Sequence, residues 1–185
     1  KQVTYLRNEL ERGRPFNEII GEDDKMHRVF DLISSIADSD GAVLIQGESG
    51  TGKELVARAI HRLSPRKDQP FVVIACAAIP PTLVESELFG YQKGAFTGAL
   101  RTTLGKLEIA NKGTVLLDDI DTLDVNMQAK LLRVIQEKEF ERLGTTRVIK
   151  LDVRFLASTN KDLTQLIQTG AFREDLFYRL NVLPI

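Results

Sequence analysis

A single cysteine, Cys76, excludes an internal disulfide, and its apolar neighbours make it a packed core thiol rather than a reactive one. Charge of one sign is not in excess. The 25 Lys and Arg residues stand against 26 Asp and Glu, a formal net charge of −1, so bulk electrostatics give this segment no reason to bind nucleic acid. No apolar run approaches the roughly 20 residues that span a bilayer, and the opening Lys1-Gln2-Val3-Thr4 lacks a signal-peptide pattern. A cytoplasmic location is the expectation. Internal repeats and low-complexity tracts are missing as well. What is present is 43% hydrophobic and 28% charged over 185 residues, a globular composition long enough for one domain with at most a short appendage.

The chain is organised around Gly47-Glu48-Ser49-Gly50-Thr51-Gly52-Lys53-Glu54. This stretch follows Ala42-Val43-Leu44-Ile45, which reads as a buried strand. It precedes Leu55, Val56, Ala59, Ile60 and Leu63, which recur at helical spacing. Gly47, Gly50 and Gly52 let the backbone adopt positive φ and turn several N–H groups toward one anion, while the helix N-terminus adds partial positive charge. Lys53 then reaches the β- and γ-phosphates. In the generic pattern Ser or Thr follows the lysine and its hydroxyl holds magnesium, whereas here Glu54 stands in that place. A glycine turn can be merely structural, yet three glycines at these offsets followed by Lys point to nucleotide binding.

From Phe16 onward the pattern predicts helix 23–37, strand 42–46, helix 53–63, strand 71–76, helix 81–89, strand 114–118, helix 125–138, strand 153–158 and helix 162–168. This alternation predicts an α/β fold with a mainly parallel sheet flanked by helices. Residues 3–11 read as a short helix ended by Gly13, Arg14 and Pro15, which makes 1–15 a linker from an upstream regulatory domain and 16–185 the nucleotide-binding unit. The apolar Asn181-Val182-Leu183-Pro184-Ile185 reads as the start of a further element. Thr114-Val115-Leu116-Leu117-Asp118-Asp119 is an apolar strand ending in two carboxylates, the form of a Walker B segment. In that form Asp118 holds magnesium and Asp119 orients or deprotonates the attacking water. Taken alone, such acids are equally turn formers or N-caps.

Together these residues resemble the AAA+ ATPase domain of bacterial enhancer-binding proteins, the activators of sigma-54 RNA polymerase, over about residues 16–185. The most specific element is Gly94-Ala95-Phe96-Thr97-Gly98-Ala99, which matches the family's sigma-contacting loop letter for letter. Glu85-Ser86-Glu87-Leu88-Phe89-Gly90 also looks like the family, as does a phosphate loop ending in Glu54. The resemblance implies a P-loop NTPase of AAA+ type, with the helical lid absent from this chain and lying beyond residue 185. It implies ATP and Mg2+ as cofactors, with Asp118 and Glu54 at the metal. It further implies a hexameric or heptameric ring that remodels the closed complex of sigma-54 RNA polymerase holoenzyme. Enhancer DNA would be contacted only through an absent C-terminal domain, and no membrane is involved.

Within the same resemblance, Ser158-Thr159-Asn160 is similar to the sensor-one position, with Asn160 reporting the γ-phosphate. The segment from Phe172 to Leu180 looks like the arginine-finger helix, offering Arg173 and Arg179 to a neighbouring subunit's nucleotide, where a planar guanidinium stabilises phosphoryl charge. Glu141 to Arg154 resembles the second surface loop, with a hairpin tip at Gly144-Thr145-Thr146. Without the family, Phe96 reads as a core aromatic beside a turn, Asn160 as a helix cap, and the arginines as a solvated helix face.

Four positions depart from the family pattern. Asp118-Asp119 stands where Asp-Glu is usual, one methylene short at the catalytic place. Ala75 replaces an Asn whose amide restrains the catalytic Glu, and Asp121 and Lys112 replace glycines. The paired changes at 75 and 119 predict slow or differently gated hydrolysis. They leave a second reading, a nucleotide-responsive oligomerising regulator with weak or no hydrolysis. A phosphoryl transferase built on the same loop is disfavoured because no acceptor-site motif is visible.

Overall fold

In the computed structural model of the chain, Ile19 and residues 23–185 are described, so the expected linker helix over 1–15 lies outside them. The first element is α1 (Asp24–Ile36), capped by Asp23, and it leads to β1 (Val43–Gln46) and, past the glycine loop, α2 (Lys53–Leu63). Next come β2 (Phe71–Ala75), a 3-10 turn at Cys76–Ala78, and α3 (Pro81–Phe89), which starts on a proline because the first helical N–H needs no partner. A short antiparallel pair, β3 (Gly90–Tyr91) and β4 (Thr103–Leu104), carries the 94–99 loop and runs into α4 (Lys106–Ile109). The strand β5 (Thr114–Asp118) passes through a second 3-10 turn, Ile120–Thr122, to α5 (Val125–Glu137), capped by Asp124. A second antiparallel pair follows, β6 (Glu139–Glu141) and β7 (Val148–Lys150). The remaining elements are β8 (Arg154–Thr159), α6 (Leu163–Gln168), α7 (Glu174–Leu180) and β9 (Leu183–Pro184).

The main sheet has the order β2-β5-β8-β1-β9 with every pairing parallel. Period-two alternation sends its side chains into two cores. Leu44, Val115, Leu117, Phe155 and Ala157 pack toward α3, α5 and α7, whereas Val43, Ile45, Leu116 and Leu156 pack toward α1 and α2. The chain steps from β1 outward to β2, returns through β5 and β8, and then crosses to β9, so β1 sits where the strand order reverses. Ligands of open parallel sheets bind at such a point, beyond the carboxyl ends of the strands.

Each helix and strand expected from 23 to 168 lies within a residue of its expected bounds. The apolar end of the chain forms β9 on the edge of the sheet, and the expected hairpin tip at 144–146 joins β6 to β7. Only β3, β4 and α4 escape the sequence pattern, since elements of two to four residues carry no periodicity.

Two buried polar contacts fix the outer layers. His61 Nδ1 lies 2.9 Å from Thr114 Oγ1, joining α2 to β5, and burial holds the imidazole below its ordinary pKa, which favours the neutral form. Arg154, 1% exposed at the start of β8, donates to the Ala37 carbonyl at 2.6 Å and the Ile36 carbonyl at 2.7 Å. A cation here satisfies the last carbonyls of α1 and meets the negative end of the helix dipole. Arg154→Met should therefore destabilise the fold by about 2–4 kcal/mol, because two buried carbonyls lose their donors. Urea denaturation checks this, and a change under about 0.5 kcal/mol would refute the capping role.

Candidate nucleotide site at the carboxyl ends of the strands

The glycine loop leaves β1 and closes on α2 through two residues with left-handed backbone, Gly50 at φ 80° and Gly52 at φ 89°. A side chain at Gly50 would meet nothing within 4 Å, so the requirement there is conformational and the concave side of the loop is open. Thr51 ties the turn by donating its hydroxyl to the Glu48 carbonyl at 2.8 Å. The amides of Ser49, Gly50 and Gly52 donate to no other group among the described residues. Successive unpaired N–H groups in a loop of alternating hand form an anion nest, here continued by the free first-turn amides of α2. Lys53 spans the loop, its Nζ donating to the carbonyls of Gly47 at 3.0 Å and Glu48 at 2.9 Å.

Opposite the loop, β5 ends at Asp118, directly paired with Ala75 in the sheet register. Ser158 on β8 bridges the two acids, its hydroxyl donating to Asp118 Oδ1 and accepting from the Asp119 amide at 3.2 Å. Asp119 turns the chain in a left-handed conformation, φ 53° and ψ 52°, which short polar side chains tolerate best after glycine. Its carboxyl is held above the ordinary aspartate pKa by burial first and then by the charges of Asp118 and Asp121, while Lys53 and Lys161 pull it back. That mutual field puts the loop lysine and the turn carboxylates in one site. The next acid, Asp121, has a side chain only 1% exposed, accepting from Thr159 Oγ1 at 2.7 Å and ion-paired to Lys161 Nζ at 3.0 Å. The loop is stitched to the same strand, because the Gly47 amide donates to the Thr159 carbonyl at 3.2 Å.

The other expected residues fall in three places. Asn160 stands exposed immediately after β8, beside this network. Glu54 is not brought into it: its Oε1 accepts from Arg58 Nε at 2.9 Å and Nη2 at 2.6 Å, an ion pair one turn along α2. No three acidic, imidazole or thiol groups converge into a metal cage among the described residues. Arg173 caps α7, its amide held by the buried Gln128 at 2.8 Å and its guanidinium by Asp175 at 2.7 Å, while Arg179 is exposed on the last turn of α7. Neither arginine bonds to the phosphate loop of its own chain.

The 94–99 loop is a surface feature with left-handed glycines at both ends, Gly94 at φ 85° and Gly98 at φ 99°. Phe96 is 44% exposed and leans on Tyr91 with ring centroids 5.0 Å apart, so it is not the core aromatic that its type alone suggests. The tip of the β6–β7 hairpin braces this loop. The Gln92 amide donates to the Leu143 carbonyl at 2.9 Å, and a Cβ at Gly144 would lie 2.6 Å from that of Ala95. A half-open pocket of about 250 Å³ lies elsewhere, between α3, α5 and that hairpin, and touches none of the phosphate-site residues.

Ser158, Thr159, Gln128 and Asp121 are the participants that the sequence reading underrated. Hydroxyls on the last two residues of a strand beside an acidic strand end are the signal that could have exposed the first two.

The family described as the Sigma-54 interaction domain matches residues 19–185. The chain belongs to this family. This sigma-54 interaction domain is 53% identical over 180 residues to the DNA-binding transcriptional activator HyfR of Escherichia coli strain K12, an overlap of 97% of this chain and 27% of HyfR. It matches the crystal structure of NtrX from Brucella abortus in complex with ATP at a TM-score of 0.84 and 38% identity, covering 100% of this chain and 39% of that one. The P-loop NTPase domain of the Sigma-54 transport activator from E. coli matches at a TM-score of 0.60 and 18% identity over 90% of this chain and 96% of that one, a likeness of fold. The sigma-54 interaction domain thus spans well under half the length of HyfR and NtrX, and no helix among its described residues is long and apolar enough to cross a membrane.

The electrostatics can be read directly. An NMR titration of the Asp119 carboxyl in the absence of divalent cation should give a midpoint above the ordinary 3.8. Lys53→Met should raise it further and Asp121→Asn should lower it, each by removing the charge that acts in the opposite sense. A midpoint at or below the ordinary value contradicts this arrangement.

Proposed function

We propose that this domain is the ATP-hydrolysing motor of a transcriptional activator and remodels sigma-54 RNA polymerase holoenzyme. The observation that carries the reading is the stitching of three parts into one site: the anion nest at 47–53, the carboxylates at 118 and 119, and the end of β8. The exposed Phe96 loop, with HyfR and NtrX as relatives, supports the choice of partner and of ATP.

The residues present fit a magnesium nucleotide. Open amides at Ser49, Gly50 and Gly52 suit phosphate oxygens, and Asp118 Oδ2 has no hydrogen-bond partner among the described residues, a donor set that matches a hard cation needing one or two carboxylates plus phosphate and water. Bound magnesium supplies neutralisation of charge on the terminal phosphates. Lys53 exchanges its two loop carbonyls for phosphate oxygens. Asp118 takes the metal, and Glu54, spent on Arg58, is released from that expected role unless the pair opens. Asp119 orients the attacking water, and its raised pKa makes it a stronger base than an ordinary aspartate once ionised. Asn160 reads the terminal phosphate. Arg173 and Arg179 serve a neighbouring subunit's site, which requires a ring, hexameric or heptameric by likeness to the family. Enhancer DNA is engaged by another region of the intact protein.

A second reading keeps nucleotide binding and oligomerisation but little hydrolysis. It is favoured by Ala75, which lies beside Asp118 with no polar group to gate the base, and by the short reach of Asp119.

Steady-state ATP turnover by the intact protein, with and without sigma-54 holoenzyme, separates the two. Lys53→Ala should weaken nucleotide binding by at least about tenfold, and Asp119→Glu should raise turnover by about tenfold, equivalent to about 1.4 kcal/mol in the barrier. An unchanged rate in Asp119→Glu counts against the retracted base, and tight binding with no turnover selects the second reading. For the partner, Phe96→Ala should weaken capture of sigma-54 holoenzyme by at least about tenfold, as loss of an exposed aromatic anchor does. A loss under about twofold removes Phe96 from the interface.

A further inference from the structure

We propose that Asp121 is a positioning residue that clamps both neighbours of Asn160 and so fixes that side chain at the mouth of the nucleotide site. The inference rests on the hydrolytic reading above. Asp121 lies two residues after Asp119 and is turned inward by the 3-10 turn Ile120–Thr122. Both of its carboxylate oxygens are used: Oδ1 accepts from the Thr159 hydroxyl at 2.7 Å, and Oδ2 forms an ion pair with the Lys161 ammonium at 3.0 Å. The Lys161 amide in turn donates to the Thr159 hydroxyl at 3.1 Å, closing the clamp around the residue between them.

The same two residues are held from the opposite side by the phosphate loop strand. Gly47 donates its amide to the Thr159 carbonyl at 3.2 Å, and Gln46 donates Nε2 to the Lys161 carbonyl at 3.0 Å. Residues 159 and 161 are thus tethered to both walls of the site, while the Asn160 side chain between them has no hydrogen bond among the described residues and stands exposed. That arrangement leaves one polar side chain free to act and removes the backbone freedom that would blur its position.

Stability alone is a poor account of Asp121. A carboxylate buried to 1% loses its hydration, and such an ion pair returns little net stability, the more so because its partner Lys161 is 56% exposed. Positioning does account for it, because an error of about 1 Å in a group that reads the reacting phosphate costs roughly a hundredfold in rate. Glycine at 121 supplies neither bond. Asparagine keeps an acceptor for Thr159 and abolishes the charge that holds Lys161.

The test uses the intact protein, with kcat and KM for ATP separated and amide hydrogen exchange of residues 159–161 read by mass spectrometry without nucleotide. Asp121→Asn should lower kcat by about tenfold, move KM by less than about twofold and speed exchange across 159–161. Thr159→Val, which removes one bond and keeps the shape, should shift kcat and exchange in the same direction by less. The proposal is overturned if both variants keep kcat within about twofold and exchange unchanged, or if kcat falls only in step with nucleotide affinity and melting temperature. Should the unaltered protein turn over no ATP, the hydrolytic reading fails on its own. In that event faster exchange in the variants still supports the clamp, and unchanged exchange sinks it.

Discussion

The parallel pairing of β8 with β1 on one side and β5 on the other, in the register Ile45 to Ser158 and Leu117 to Ala157, is the constraint on which the site depends. In that register the last two residues of β8 lie level with the start of the glycine loop and with the acidic end of β5. Ser158 can then reach Asp118 and Asp119, while Thr159 turns to Asp121 with its hydroxyl and to Gly47 with its carbonyl. A slip of one residue would exchange the two faces of the strand, burying these hydroxyls away from the acids and turning Leu156 into the wrong core. The hydrophobic alternation of Phe155, Leu156 and Ala157 between two separate cores therefore also sets the chemistry.

The fold was legible in the sequence wherever one element spans enough residues to show a period or a cap. The runs at 53–63 and 114–118 gave their own bounds, and Gly50, Gly52 and Lys53 announced a phosphate loop by spacing alone. The network behind the loop was not legible. Ser158 and Thr159 carry no signal of which acids they face, since that follows from strand order, and strand order places residues 40 positions apart side by side. Asp121 gives no sign in the sequence that its side chain points inward, since the 3-10 turn Ile120–Thr122 decides that. For Glu54 the signal stands in the sequence: Arg58 lies four residues on, the spacing at which helix ion pairs form. Phe96 shows the converse, a residue whose type argues for burial and whose exposure is decided by two flanking glycines.

Two of the four positions that the family resemblance marks as departures, Lys112 and Asp119, have left-handed backbone. Lys112 has φ 73°, a conformation that costs a residue with Cβ about 1 kcal/mol or more, at a place where the family resemblance leads one to expect glycine. Its amide donates to the Asp152 carbonyl at 2.7 Å and its ammonium to the Asp152 carboxylate at 3.2 Å, and Arg66 holds the same carboxylate at 2.8 Å. The strained turn is thus pinned at the end of the sheet remote from the nucleotide. Asp119, also left-handed, sits at the opposite end with its amide held by Ser158 and its carbonyl by Thr122, so its carboxylate keeps more freedom than its backbone.

The contact between the two surface hairpins has a mechanical consequence. With the Leu143 amide donating to the Gly90 carbonyl at 3.0 Å, and no room at residue 144 for even a methyl group, the hairpins act as a single strut rather than two whiskers. A displacement at the base of either hairpin is therefore shared with the other instead of being absorbed between them.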